Sequence, residues 1–109
     1  MATAGAPPIA DAFGAIAHPV RRTLITALAG GDKPVRDLAA VVTISRPAVS
    51  QHLAVLRGVG LVSEARYGRE RRYHLHPERL DEVRTWMQTL DQFWRARLDR
   101  LARHLEEHP

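Results

Sequence analysis

The sequence predicts a mainly α-helical fold with one β-hairpin and a long C-terminal helix. Apolar residues recur at helical spacing over most of the 109-residue chain. Two short runs containing β-branched and aromatic residues flank a glycine at position 68, as in a hairpin. Residues 78–108 contain neither glycine nor proline, so nothing interrupts a helix there.

The composition indicates one small globular domain. Hydrophobic residues make up 45% of the chain and charged residues 26%, as in folded proteins. The chain has no cysteine, which excludes disulfides, thiolate nucleophiles and sulfur-ligated metals. No apolar run approaches the roughly 18 residues of a membrane span, and no signal-peptide pattern opens the chain, so we expect a cytoplasmic protein. We expect residues 1–8 to form a flexible tail and residues 9–109 one domain.

The first half of the chain predicts four helices in succession. Residues 9–17 form a short alanine-rich helix, and Pro19 opens a second helix that runs to about Ala29. Residues 34–41 form a third, short amphipathic helix. After a break, Ser45 caps a fourth helix that ends at Gly58 or Gly60. Two helices joined by such a break, over residues 34–58, form a helix-turn-helix.

A hairpin and a long helix complete the predicted domain. Strands over residues 61–67 and 71–75 form a basic wing directly after the helix-turn-helix, within residues 61–76. The helix over residues 77–108 carries an apolar stripe longer than the core of a monomer requires, which indicates packing against a second copy. The residues that we expect at this dimer interface are Leu80, Val83, Met87, Leu90, Trp94, Leu98 and Leu101.

The basic charge is concentrated in one segment of the chain. The formal net charge is +4 overall. Residues 45–76 hold six arginines and two glutamates, whereas the two flanking segments nearly balance. A local basic patch on a small domain is typical of a protein that binds a polyanion.

Four stretches of the sequence resemble the ArsR/SmtB family of bacterial winged-helix transcription regulators. They are residues 17–24 (AHPVRRTL), 45–56 (SRPAVSQHLAVL), 60–62 (GLV) and 67–73 (YGRERRY), and the likeness extends over roughly residues 9–105. The resemblance implies a homodimer that binds double-stranded operator DNA and represses its own operon. It also implies relief of repression by a metal ion or another small ligand.

The polar face of the fourth helix suits base recognition in the major groove. Its N-terminus presents free N–H groups, Arg46 can bond guanine in bidentate fashion, and Gln51 can pair with adenine. Arginines of the wing contact the backbone or the minor groove. The predicted DNA-binding residues are Ser45, Arg46, Ser50, Gln51, His52, Arg69 and Arg71.

The resemblance also implies where an effector metal binds. The family's thiolate site falls on residues 35–38 (VRDL), which lack sulfur, so that type of arsenic, cadmium or lead sensor is excluded. A second family site lies between paired C-terminal helices, and Phe93 is apolar where one of its ligands is expected. Asp91, His104 and Glu107 match the other positions of its register, and His108 is adjacent. Together these four residues predict a site for a divalent transition metal such as nickel or zinc.

Other functions remain open to different degrees. No phosphate-binding loop, catalytic triad spacing or cysteine nucleophile is present, so an enzyme is not expected. Aromatic residues on the long helix leave room for an organic effector at the dimer seam, and a partner protein is a further candidate sensor. A protein-interaction module is the alternative from another class, although it leaves the basic segment unexplained.

Overall fold

The computed structural model describes residues 11–108. The predicted tail and the start of the predicted first helix therefore lie outside the described residues. A three-stranded antiparallel sheet, ordered β1-β3-β2, lies beside five α-helices. The elements are α1 (Ala12–Ala15), α2 (Pro19–Ala29), β1 (Lys33–Pro34), α3 (Val35–Ala40), α4 (Arg46–Gly58), β2 (Val62–Tyr67), β3 (Glu70–Leu75), a 3-10 helix (Pro77–Leu80) and α5 (Asp81–Glu107).

Local signals set the ends of α2 and α4. Pro19 occupies the first position of α2, where its missing N–H is not needed. Ser45 caps α4, because its Oγ accepts a hydrogen bond from the Ala48 N–H at 3.3 Å. Gly60 follows α4 at φ +80°, and the Leu61 N–H returns to the Leu56 carbonyl at 2.9 Å, which closes the helix. Both helices match their predicted bounds.

The wing is a tight hairpin. Tyr67 pairs with Glu70, so only two residues connect β2 to β3. The first of them, Gly68, has φ +67°, as a type II′ turn requires. The prediction missed β1, whose two residues pair with Tyr73 and Arg72 and fasten the wing to the helix-turn-helix.

The core lies between the helix-turn-helix and the base of the wing. Its fully buried large side chains come from α2, α3, α4 and the segment that enters the wing, namely Leu24, Leu38, Val49, Leu53, Leu56 and Leu61. Winged helix-turn-helix architecture is thus confirmed, with the helices and hairpin in the predicted order.

Only the first turn of α5 joins this core. Val83 is 8% exposed, and Leu80 in the preceding 3-10 helix packs against the same cluster. Within the single chain Val83 thus belongs to the core, and its place at a dimer interface stays a prediction. The helix predicted over residues 77–108 begins with a 3-10 turn and is α-helical from Asp81.

Two contacts fix the direction of α5. The Ala12 N–H donates to Glu82 Oε1 at 3.2 Å, and the rings of Phe13 and Trp86 meet edge to face at 5.7 Å. From Arg84 onward every described residue of the helix is exposed. The radius of gyration is 19.5 Å, against about 13 Å for a compact domain of this length. None of the helices within residues 11–108 is both long and apolar enough to cross a membrane.

Candidate nucleic-acid interface

The outer face of α4 presents the polar residues that the sequence predicted for base contact. Ser45, Arg46, Ser50 and Gln51 are all exposed. Their apolar neighbours on the same helix face the core, so α4 is held from one side only. Because the Ser45 hydroxyl is engaged as the N-cap, its contribution is to fix the helix start. An exposed helix of this kind matches the shape of the DNA major groove.

The wing and the start of α4 together form a basic cleft. Its volume is about 500 Å³, and the structure brings Arg46 of α4 together with Arg69 and Arg71 of the wing. These three arginines had been predicted from separate parts of the sequence to contact DNA. The cleft, which we call the arginine cleft, is lined by Pro34, Val35, Arg36, Arg46, Arg66, Arg69, Glu70 and Arg71.

Electrostatic repulsion within the arginine cleft favours binding of an anion. Arg66 and Arg71 stand directly opposite each other on β2 and β3, and like charges in that register destabilise a sheet. Glu70 is the one acidic residue that lines the cleft. Hydrogen bonds from Arg72 and then Arg36 lower the pKa of its carboxyl. The cleft thus keeps a net excess of positive charge that a phosphate backbone would neutralise.

Sequence reasoning missed two arginines of this cleft. Arg36 lies on α3, about thirty positions before the wing, and reaches Glu70 through tertiary contact. Arg66 precedes the hairpin turn, and its pairing with Arg71 follows from the two-residue loop. The alternation of side chains along β2 and β3 could have placed Arg66, once the turn length was known.

His52 takes a different position from the one predicted. Its side chain is half-buried, and its Nδ1 lies 3.2 Å from Nη1 of Arg21. The centroids of the His52 and His18 rings are 4.4 Å apart. The side chain is therefore directed toward α2 rather than toward the exposed face of α4. In the structure His52 is therefore a contact between helices. The side chains of α4 that remain exposed for base contact are Arg46, Ser50 and Gln51.

The apolar stripe of α5 forms a second surface. Ten large hydrophobic residues are exposed among residues 11–108, and eight of them lie on this one helix. Such a concentration is typical of an interaction surface. A groove of about 970 Å³ runs between α2 and the start of α5, with Ile25 on one wall and Leu90 on the other. The exposed residues on α5 are Trp86, Met87, Leu90, Phe93, Trp94, Leu98, Leu101 and Leu105.

The predicted metal ligands do not meet within one chain. Asp91 and His104 are separated along α5 by about 20 Å at 1.5 Å per residue. The Asp91 carboxylate is paired with Arg95 at 2.9 Å, and the His104 and His108 rings lie 4.6 Å apart. Within residues 11–108 no three histidine or carboxylate side chains are grouped so as to hold a metal ion. A site that joins these residues requires two copies of α5.

Comparison with known proteins points to one family. The family model described as "Bacterial regulatory protein, arsR family" matches residues 18–64, which run from α2 to the start of the wing. The HTH-type transcriptional regulator Rv2034 of Mycobacterium tuberculosis is 40% identical over 95 residues, which cover 87% of this chain and 86% of that protein. The transcriptional repressor SdpR of Bacillus subtilis is 35% identical over 77 residues, covering 71% and 86%.

A solved structure agrees with these matches. The crystal structure of a possible transcriptional regulator for arsenical resistance superposes with a TM-score of 0.63 and 43% sequence identity. The match covers 81% of this chain and 88% of that one. The similarity therefore extends beyond the helix-turn-helix to most of the domain.

Proposed function

Since the chain belongs to the ArsR family of bacterial regulatory proteins, we propose that it is a homodimeric repressor that binds operator DNA through α4 and the arginine cleft. Members of this family are DNA-binding transcriptional regulators and not enzymes. This chain is likewise a transcriptional regulator and not an enzyme. We place its action in the cytoplasm, where bacterial operators are found. Resemblance to repressors among the relatives favours repression over activation.

The arginine cleft is the observation that carries this proposal. Arg46 lies in it beside the wing arginines. The residues proposed to contact bases and those proposed to contact the DNA backbone therefore share one surface. In the complex α4 enters the major groove, where Arg46 bonds guanine and Gln51 bonds adenine. Arg69 and Arg71 then reach the adjacent backbone or minor groove, which adds affinity more than selectivity.

The homodimer is supported by the exposed stripe on α5. A second copy carries the same stripe, so the two surfaces are self-complementary about a two-fold axis. Leu90 is 48% exposed and Trp94 57% exposed in the single chain, and the neighbouring groove along α2 continues the apolar surface. A dimer of this kind presents two α4 helices to successive major grooves.

The proposed effector is a divalent metal such as nickel or zinc, held across the dimer. Asp91 of one copy and His104, Glu107 and His108 of the other would supply carboxylate and imidazole donors, which suit these ions. The separation of Asp91 from His104 along α5 makes such a site depend on the dimer. Metal binding would then be linked to the relative placement of the two α4 helices.

Fluorescence anisotropy tests the DNA-binding surface directly. The metal-free protein is titrated onto DNA from upstream of its own gene and onto a scrambled duplex at the same salt concentration. The variants are Arg46→Glu and, as a matched charge reversal on the exposed polar face of α5, Arg103→Glu. We expect Arg46→Glu to weaken operator binding by at least about tenfold, the value of a lost bidentate contact, and Arg103→Glu to bind like the wild type.

Sedimentation of both variants shows whether the dimer persists. Operator binding by Arg46→Glu at wild-type affinity would overturn the assignment of α4. If the wild type bound operator and scrambled DNA with equal affinity, the proposal that it is a sequence-specific regulator would be overturned. A protein-interaction module would then be favoured.

A further inference from the structure

Arg21 is the one buried charged residue within residues 11–108. Its side chain lies at the start of α2 and the residue is 7% exposed. None of the described carboxylates forms an ion pair with it, so its charge is met by neutral acceptors. Nε donates to the Ala15 carbonyl at 2.6 Å and Nη2 donates to the Gly14 carbonyl at 3.2 Å. Both carbonyls lie at the end of α1, where helix carbonyls carry partial negative charge.

The third contact of Arg21 reaches α4. Nη1 lies 3.2 Å from Nδ1 of His52. A guanidinium has donors and no acceptor, so Nδ1 must accept this hydrogen bond. The His52 ring is therefore neutral, with its proton on Nε2. The adjacent His18 has its own Nδ1 engaged as the acceptor for the Val20 N–H at 3.1 Å.

This hydrogen-bonded group joins three helices. Arg21 belongs to α2, its carbonyl partners end α1, and His52 lies in the middle of α4. Because α1 also contacts α5 through Phe13 and Trp86, the placement of α4 is connected to the helix that carries the apolar stripe. A planar guanidinium with three fixed partners defines an orientation as well as a distance.

We propose that Arg21 is a positioning residue for α4, and that this positioning depends on neutral His52, so that protonation of His52 weakens operator binding. The proposal rests on the DNA-binding function proposed above. It adds pH as a factor that regulates operator affinity. A protonated ring would set an N–H of His52 against an N–H of Arg21. The contact would be lost, and α4 would no longer be held in the orientation that the arginine cleft requires.

The surroundings of His52 favour its neutral form at neutral pH. Partial burial, and then the neighbouring His18 and Arg21, lower the pKa of His52 from its usual 6.5. Among residues 11–108, the charged or titratable groups that face His52 are Arg21 of α2 and His18, the N-cap of that helix. The neutral, positioned state is therefore present at neutral pH and is lost as the pH falls through the lowered pKa.

The expected pH dependence is opposite in sign to the ordinary one. The chain has six histidines. Acidification gives them positive charge, and positive charge strengthens binding to DNA phosphates. A loss of affinity in acid that depends on His52 alone would therefore be specific for the positioning contact.

Operator binding by wild type and His52→Asn tests the inference. The asparagine Oδ1 replaces Nδ1 as an acceptor but does not titrate. Anisotropy titrations between about pH 8 and pH 5 give the ratio of the wild-type Kd to the variant Kd. We expect a ratio near one at the upper end, which rises by up to about tenfold per pH unit below the His52 pKa. For the control His74→Asn, at an exposed histidine on β3, the ratio stays flat or falls.

Nitrogen-15 NMR of the wild type tests the geometry without DNA or substitution. We expect the Nε2–H tautomer of His52 at neutral pH, and the Nδ1–H tautomer would overturn the inference. A pH-independent ratio for His52→Asn would overturn it while leaving the proposed function intact. If the wild type does not distinguish the operator from scrambled DNA at any pH, the proposed function fails and the pH-regulation claim fails with it. Should His52→Asn not fold, the wild-type tautomer and pH profile still decide the matter.

Discussion

Glu70 of the wing is bound by Arg36 of α3, with 2.5 Å between Oε2 and Nη1. The other carboxylate oxygen, Oε1, accepts a hydrogen bond from Arg72 Nε at 2.8 Å. One acidic side chain thus connects the wing to the helix-turn-helix and at the same time lies among the arginines of the cleft. The angle between wing and α4 depends on this contact together with the pairing of β1 and β3.

We expect Glu70→Gln to lower the stability of the protein at neutral pH. The lowered pKa of Glu70 means that its contribution is present above the usual value of 4.5 and is lost as the pH falls through the folded-state pKa. Denaturation by urea at neutral pH and again at about pH 3 should therefore show a difference between wild type and variant that becomes smaller in acid. Glu106→Gln, at an exposed glutamate of α5 that has no ion pair among residues 11–108, is the matched control. A pH-independent difference would contradict the electrostatic role.

The wing arginines are expected to contribute affinity without selectivity. The double variant Arg69→Ala/Arg71→Ala should reduce the slope of log K against log salt by about two, since each lost phosphate contact removes roughly 0.9. The reduction should be equal on operator and scrambled DNA. By contrast, Gln51→Ala should lower only the preference for the operator. A wing variant that lost selectivity while keeping its salt slope would indicate base contacts by the wing.

Dimerisation should depend on the outer part of the α5 stripe. Leu90→Glu would bury a charge without a partner, so we expect sedimentation equilibrium to show dissociation into monomers. Gln92→Glu places the same charge two residues away, about 200° around the helix, and should leave the dimer intact. Because Leu90 is 48% exposed in one chain, the monomer should remain folded by circular dichroism. A stable Leu90→Glu dimer would contradict the interface.

Metal binding should require residues from two separate parts of α5, Asp91 and His104. We expect equilibrium dialysis to show nickel or zinc bound to the wild-type dimer and lost in Asp91→Asn and in His104→Ala. Asp99→Asn changes an exposed carboxylate of the same helix outside the proposed ligand set and should retain the metal. Bound metal is expected to weaken operator affinity. Wild-type protein that binds neither ion would remove the metal from the proposal and direct the search to organic effectors or a partner protein.

The elements that the sequence predicted are those with local signals. Pro19, the Ser45 cap and Gly68 each act within a few residues, so α2, α4 and the hairpin follow from the chain itself. Strand β1 was missed because two residues, one of them Pro34, carry no periodicity and acquire their pairing only from β3.

What the sequence could not decide at the sites has a similar origin. Helical periodicity places Val83 on the apolar face of α5, but it does not say whether the same chain or a second copy covers that face. His52 lies at the edge between the buried and exposed faces of α4, where its rotamer and the distant Arg21 decide its direction. The full arginine cleft could not be predicted either, because only the tertiary structure brings Arg36 close to the wing.

Hydroxyl-radical footprinting of the operator tests the central claim most directly. A dimer that inserts α4 into successive major grooves should protect two segments centred about 10 base pairs apart, with flanking minor-groove protection from the wings. At a protein concentration just sufficient for the wild-type footprint, we expect Arg69→Ala/Arg71→Ala to lose only the flanking protection and Arg46→Glu to lose the whole footprint. A wild-type protein that leaves no footprint, or a footprint that Arg46→Glu retains, would contradict the account.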